Sequence, residues 1–350
     1  MKGNKTVAVG LSGGIDSSVA AYLLKEEGFS VVGVFMRFWS ETGENKCCST
    51  KGEERARRVA EKLGIPFYVI NLEEEFKKKI VDSFLFDLKK GETPNPCALC
   101  NREIKFKVLI EKLAAYKADY AATGHYVKLL SPNLSSGRTA YMPAPAEDKQ
   151  KDQSYFLWNL KKEWLNKLLF PLGGYKKEEV REIARRLKLP TVDVKESQEI
   201  CFIPDNMVSF LKRNIGEFSG KIIDMSGEKL GEHKGLFYYT IGQRKGLNLS
   251  GGPYYVVEKR KKDNILVVTR KKEDLLRKEL AFGNENFFKE LSFPFNAKVK
   301  IRYGGKEEKA LVKKEKVIFS SSQEAVTPGQ AVVFYKGEEL IGGGVITGGN

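Results

Sequence analysis

Histidine is almost missing from this chain, with two in 350 residues. A histidine-built metal centre or an ordinary Ser-His-Asp triad is therefore poorly supported. No apolar run approaches the roughly 20 residues that a bilayer span needs. The opening stretch MKGNKTVAVG also lacks the basic, apolar and small-residue parts of a secretory signal. The expectation is a cytoplasmic protein with no membrane partner. Cysteine is scarce and odd in number, at five, which argues against a structural disulfide framework. Absent too is any GxxxxGK[ST] run, so a Walker-type phosphate loop is excluded.

What the chain has in excess is positive charge, +15 overall. That favours an acidic partner, of which nucleic acid is the commonest. The excess is uneven: +7 over residues 1–220 and +8 over the remaining 130. A lysine-rich solvated surface explains the composition equally well, so charge alone decides nothing.

At this length two or three domains are expected. Short apolar runs at Val7 to Gly10, Val31 to Phe35, Pro66 to Ile70 and Tyr120 to Thr123 alternate with helical patterns at Ser18 to Glu27, Glu53 to Leu63, Lys77 to Lys90 and Ile104 to Tyr116. This alternation predicts an α/β domain on a parallel sheet with right-handed crossovers. Residues 130–145, rich in Ser, Pro, Asn and Gly, read as a loop or hairpin tip, and residues 155–215 as mainly helical. Beyond Gly220 short alternating runs such as Tyr254 to Val257, Ile265 to Val268, Lys298 to Ile301 and Ala331 to Phe334 predict small β-barrels or sandwiches. The expected division is a parallel-sheet α/β domain with a helical extension over 1–215, a small β domain over 216–276 and a barrel-like domain over 277–350.

Between the first strand and first helix stands GLSGGIDSS, Gly10 to Ser18. Glycines let an anion approach the backbone, the helix start is positive, and Ser12, Ser17 and Ser18 add hydroxyls. Asp16 puts a negative charge near the phosphates, which makes sense if Mg²⁺ bridges the two. A glycine-rich helix cap is the plainer alternative, disfavoured by the strand before and the helix after. SGGIDSS resembles the pyrophosphatase loop of enzymes that split ATP into AMP and pyrophosphate, both amidotransferase synthetases and RNA-thiolating enzymes.

The five cysteines fall at Cys47 and Cys48, at Cys97 and Cys100 in TPNPCALCNREIKF, and at Cys201 in ESQEICFI. Two prolines stiffen the first approach to Cys97, and a helix start near it lowers a thiol pKa. One CxxC is a weak zinc signal. Together with ATGHY (122–126), KDQSYFL (151–157), GEHKGLFYYTIGQRKGL (231–247) and VTPGQAVVFY (326–335), these stretches resemble the tRNA-specific 2-thiouridylase family over nearly the whole length.

That resemblance implies ATP binding by Gly10, Leu11, Ser12, Gly13, Gly14, Ile15, Asp16 and Ser17, with Met36 beside the adenine and Gly124 completing the site. It implies a catalytic nucleophile at Cys100 and a persulfide carrier at Cys201. Asn95, Pro96 and Cys97 match the stretch facing the target base, and Lys151, Asp152, Gln153, Arg302 and Tyr303 match tRNA contacts. The implied partners are the anticodon stem-loop with its wobble uridine and a sulfur-donor protein or persulfide relay. The implied reaction adenylates the uridine C2 oxygen. Sulfur then displaces AMP, either freed by Cys100 with a Cys100–Cys201 disulfide left behind or delivered by direct persulfide attack. Many members carry Asp where this chain has Cys97. A thiol replaces a carboxylate poorly as acceptor, which opens an alternative: Cys97, Cys100 and Cys201 holding a [4Fe-4S] cluster. An amidotransferase-type synthetase leaves Cys100 and Cys201 without a task, and a non-catalytic RNA-binding protein leaves the intact loop unexplained. His125, beside Gly124, either faces the nucleotide or caps the strand end, a structural or supporting role being favoured, and Cys47 and Cys48 are given no catalytic role.

Overall fold

The computed structural model describes residues 5–349 apart from 42–48, 134, 136–137 and 195–199. Cys47 and Cys48, and the ESQE part of the Cys201 motif, lie outside the described residues. The chain begins with β1 (Thr6–Gly10), α1 (Ile15–Glu26), β2 (Ser30–Arg37), α2 (Thr50–Leu63) and β3 (Phe67–Asn71). Their sheet has the order β3, β2, β1, then Tyr120–Ala122, then Leu168–Leu169, every pairing parallel. Val7, Ala8 and Val9 are wholly buried, as expected of a central strand covered on both faces by helices. Each fully buried large side chain, Phe35 among them, contributes about 1.5–3 kcal/mol relative to exposure.

The sheet order turns back on itself between β1 and Tyr120–Ala122, one reached through α1 and β2 on one side, the other from the far half of the domain. Such a switch point opens a crevice at the carboxyl ends of the strands. The loop after β1 and Gly124 after Tyr120–Ala122 both stand at that crevice.

Several elements differ from expectation for local reasons. The helix carrying the CxxC pair begins at Pro96, not Ile104, because Asn95 Oδ1 accepts from the amides of Cys97 and Ala98 and Pro96 fills the first helical position. It runs on through a π-helical turn, Asn101–Phe106, into Lys107–Glu111, and then breaks into turns before Tyr116. The helix expected at 77–90 starts at Glu73 and likewise contains a π-turn, Lys77–Val81. Residues 155–215 are less helical than the pattern suggested: two 3-10 turns lead into Leu168–Leu169, which joins the parallel sheet, before helices at Lys177–Arg186 and Met207–Asn214. Val127–Leu130 and Met142–Pro145 pair as an antiparallel hairpin.

The remainder is β. Gly220–Ile223, Lys229–His233, Tyr255–Arg260 and Ile265–Thr269 make a four-stranded sheet over its own small core of Ile222, Val256, Leu266 and Val268. Six strands from Leu276–Phe287 to Glu339–Gly349 close into a barrel, which leaves no open edge. The barrel shares one continuous core cluster with the parallel-sheet domain, and polar contacts stitch the seam. Tyr155 Oη donates to the Ala331 carbonyl at 2.9 Å, and Asn286 Nδ2 to the carbonyls of Trp158 and Leu160 at 2.8 and 2.9 Å. No helix among the described residues is long and apolar enough to cross a membrane.

Candidate active site

The loop after β1 is held by its own hydroxyls. Ser17 Oγ accepts from the Ser12 amide at 3.1 Å, lies 3.2 Å from Ser12 Oγ, and donates to the Gly14 carbonyl. Ser18 Oγ donates to the same carbonyl at 2.8 Å. Gly14 occupies the N-cap with no side-chain cap, so the first-turn amides of α1 are left to an anion. Gly13 has φ +72°, and a Cβ there would lie 2.2 Å from the Gly52 carbonyl oxygen in α2. A Cβ on Gly124 would come within 2.7 Å of the Asp16–Ser17 peptide. These two glycines are where close backbone approach is required.

Above the loop opens a cavity of about 820 Å³. Gly10, Leu11, Ser12, Gly13, Gly14, Ile15, Asp16, Ser17, Met36 and Gly124 all line it. Met36 lies within β2 rather than just beyond it, and is buried. The same cavity is walled by Asn95, Pro96, Cys97, Lys151, Gln153 and Tyr303, residues that arrive from three separate parts of the chain. Gln153 is fixed to Tyr126 at both ends, its amide donating to the Tyr126 carbonyl and its Oε1 accepting from the Tyr126 amide. Exposed Tyr303 packs on Phe156 with ring centroids 4.5 Å apart, an aromatic wall of the kind that stacks on an unpaired base.

Four expected site residues do not line the cavity. Asp152 is buried, its carboxylate accepting from the amides of Ala146 and Ser154 and from Ser154 Oγ, with Lys300 at 3.6 Å. It braces the segment that presents Lys151 and Gln153. Arg302 is exposed and outside the lining. Cys97 is exposed in the first turn of its helix, whereas Cys100, one turn on, is buried in the core, and half-buried Cys201 packs against that same core. The segment after Cys100 is tied down by Asn101 Nδ2 to the Phe156 carbonyl and by Arg102 to Asn159.

Other residues of the site escaped the sequence. Lys177, 161 residues beyond the loop, places Nζ 2.7 and 2.9 Å from the two carboxylate oxygens of Asp16, and Tyr126 Oη donates to Asp16 Oδ1 at 2.8 Å. Arg55 Nε donates to the Gly13 carbonyl at 3.1 Å. His125 lines the cavity and lies 2.8 Å from Thr123 Oγ1 through Nδ1. Burial, then the neighbouring Lys105 ammonium, pushes its imidazolium down to about 3, so it is neutral at ordinary pH. Tyr126 and His125 sit in the quoted ATGHY run, which was the available signal. Lys177 at a helix start gave none.

The comparisons with known proteins agree along the whole chain. Residues 5–205 match the family described as tRNA methyl transferase HUP domain, 208–270 its PRC-barrel domain, and 277–346 the aminomethyltransferase beta-barrel domain. The chain is 47% identical over 363 residues to tRNA-specific 2-thiouridylase MnmA 1 of Caldanaerobacter subterraneus subsp. tengcongensis, covering 99% of each. The chain belongs to the tRNA-specific 2-thiouridylase family. The thiouridylase MnmA of Carboxydothermus hydrogenoformans is similarly close, 47% identical over 361 residues with 98% of each chain covered. The solved U34-tRNA thiolase NcsA from Methanococcus maripaludis with its [4Fe-4S] cluster is far more distant, at 24% identity and TM-score 0.36 over 61% of this chain and 67% of that one.

Against this thiouridylase background the metal expectations can be tested on the residues. Among the described residues no group of three or more His, Cys, Asp or Glu side chains is gathered to hold a metal ion. As placed, with Cys97 exposed, Cys100 in the core and Cys201 half-buried, the three cysteines do not fit the cluster alternative. For Mg²⁺ the loop offers, among the described residues, one carboxylate, Asp16, which Lys177 and Tyr126 engage.

Proposed function

We propose that this protein transfers sulfur to C2 of the wobble uridine of tRNA, using ATP to turn the C2 oxygen into a leaving group. The supporting observation is the single cavity in which the pyrophosphatase-type loop, Met36 and Gly124 face Asn95, Pro96, Cys97, Lys151, Gln153 and Tyr303. The loop amides and serines hold the phosphates, Met36 packs by the adenine, and Mg²⁺ enters on the nucleotide. The uridine leaves the anticodon stack, a small cost in a single-stranded loop, and rests against Tyr303 and Phe156.

Its C2 oxygen attacks the α-phosphorus, and the bond to the bridging oxygen breaks with its electron pair going to pyrophosphate. A sulfur-donor protein supplies a persulfide on Cys201. The Cys100 thiolate attacks the inner sulfur, forming a Cys100–Cys201 disulfide and releasing hydrosulfide, which adds to C2 and displaces AMP. A dithiol reductant then restores both cysteines. Because Cys100 is buried and outside the cavity lining, its helix or the side chains covering it must shift between adenylation and sulfur transfer.

The test is to incubate unmodified tRNA with the protein, ATP, Mg²⁺ and sulfide, and to analyse the digested nucleosides by mass spectrometry. One 2-thiouridine and one AMP per turnover are expected. Competent tRNA that yields neither would overturn the proposal.

A further inference from the structure

The phosphate loop has a charge problem. It lacks the lysine of a Walker loop and carries Asp16 instead, yet it is to hold a nucleotide triphosphate whose charge is strongly negative. Arg55, Lys105 and Lys151 also line the cavity, and the Arg55 guanidinium is turned to the Gly13 carbonyl. Lys177 differs from them in depth and in partner. Its side chain is 2% exposed, and its ammonium is fastened to both oxygens of the loop's own carboxylate, which is 32% exposed. Tyr126, itself buried, supports the pair from below and lies with its ring 5.7 Å from the ammonium. The Lys177 amide is in turn held by Asp148 Oδ2 at 3.0 Å, and Asp148 Oδ1 caps the Gln150 and Lys151 amides.

An ion pair that buries its lysine is a poor device for stability alone, since well-packed apolar residues serve as well. Here the pair lies at the mouth of an anion-binding helix start, with Asp16, Tyr126 and Lys177 all on the cavity wall. We infer that Lys177 is a phosphate-binding residue of the adenylation reaction: Asp16 parks its ammonium beside the loop, and the pyrophosphate leaving group shares it when ATP is bound. This rests on the ATP-dependent reaction proposed above and names a residue for it. As the bond to the α-phosphorus breaks, negative charge grows on the departing β-phosphate, and a desolvated ammonium already in place stabilises it without reorganisation. The lysine of a Walker loop does this from within the loop; here the same charge comes from a helix far along the chain.

The deciding measurement is calorimetric binding of inorganic pyrophosphate, in EDTA so that no divalent cation substitutes for the lysine, alongside binding of adenosine. For Lys177→Met, pyrophosphate affinity falls on the order of 10- to 100-fold, the range of a lost hydrogen bond to a charged group, while adenosine affinity holds. Lys177→Arg recovers much of the loss. In Asp16→Asn the ammonium is released, and pyrophosphate binds at least as tightly as in the wild type. A merely structural clasp predicts otherwise: adenosine and pyrophosphate weaken together, or neither weakens, and Asp16→Asn behaves like Lys177→Met. Any of those results overturns the inference. Wild-type protein that binds neither ligand would overturn the ATP reading itself, whereas wild-type binding of both with an unchanged Lys177→Met variant sinks only the role of Lys177.

Discussion

Replacing Gly13 by alanine should separate the cost of strain from the cost of misplacing the loop. Gly13 sits at φ +72°, where an L-residue pays about 1–2 kcal/mol. Its new methyl would also lie 2.2 Å from the Gly52 carbonyl oxygen. That is backbone against backbone, so either the loop or the first turn of α2 must retreat by roughly 1 Å to reach ordinary contact. A misplacement of about 1 Å costs on the order of 10²-fold in rate. Strain alone lowers Tm by a few degrees, about 2–4 °C per kcal/mol for a domain of this size.

The matched control is Gly28→Ala. Gly28 has φ +87° but open space around its missing Cβ, at the far end of α1. Gly28→Ala should lose a few degrees of Tm in a thermal scan and Gly13→Ala at least as many, and only Gly13→Ala should lose tRNA-dependent AMP formation, by about 10²-fold. A Gly13→Ala enzyme within threefold of wild-type turnover would refute the claim that this loop geometry is required.

With a persulfide-loaded donor protein in place of free sulfide, Cys100→Ser and Cys201→Ser should each abolish 2-thiouridine while leaving tRNA-dependent pyrophosphate release, because neither thiol lines the cavity; loss of both products in either variant would contradict the assigned roles. Removing the hydroxyl in Tyr126→Phe should cost about 1 kcal/mol in chemical denaturation, with ATP still bound; unchanged stability would mean that the 2.8 Å contact to Asp16 carries nothing. His125 supplies a pH test. Its folded pKa, about 3, lies below the ordinary 6.5, so between those values the unfolded chain takes up a proton that the folded one refuses. Its contribution to stability is complete above pH 6.5 and is lost as pH falls toward 3. His125→Asn should therefore flatten the dependence of Tm on pH across that window, and an unaltered slope would refute a neutral imidazole at this place.

The strands β1, β2 and β3 were legible because central parallel strands are short uninterrupted apolar runs, and the loop was legible because Gly, Ser and Asp between a strand and a helix have few other uses. The stretch from Asn95 to Cys97 stood out through its motif, and it lines the cavity. Less visible was anything settled by tertiary placement. Lys177 at a helix start reads like any solvated lysine, and only the packing of its helix on α1 carries it to Asp16. A two-residue strand, Leu168–Leu169, has no period to detect. Asp152 stands in the same KDQ run as Lys151 and Gln153, and nothing in the string says that the middle side chain turns inward to Ser154 and Lys300. Burial of Cys100 beside exposed Cys97 depends on which face of a five-residue helix meets the core.

The seam at Thr93 has a consequence for how this molecule could be re-engineered. Gln330 Nε2 donates to the Thr93 carbonyl at 2.7 Å, the Thr93 amide donates to the Pro328 carbonyl at 2.9 Å, and Gly329 approaches so closely that a Cβ would fall 2.8 Å from the Thr93 nitrogen. Gln330 is itself part of the cavity wall. The C-terminal barrel is thus no detachable handle: one of its turns is a wall of the cavity and is bonded to Thr93, three residues before the start of the cysteine helix. A barrel transplanted from another protein would have to bring a matching turn at 328–330, or the chimera would leave the cavity open on that side.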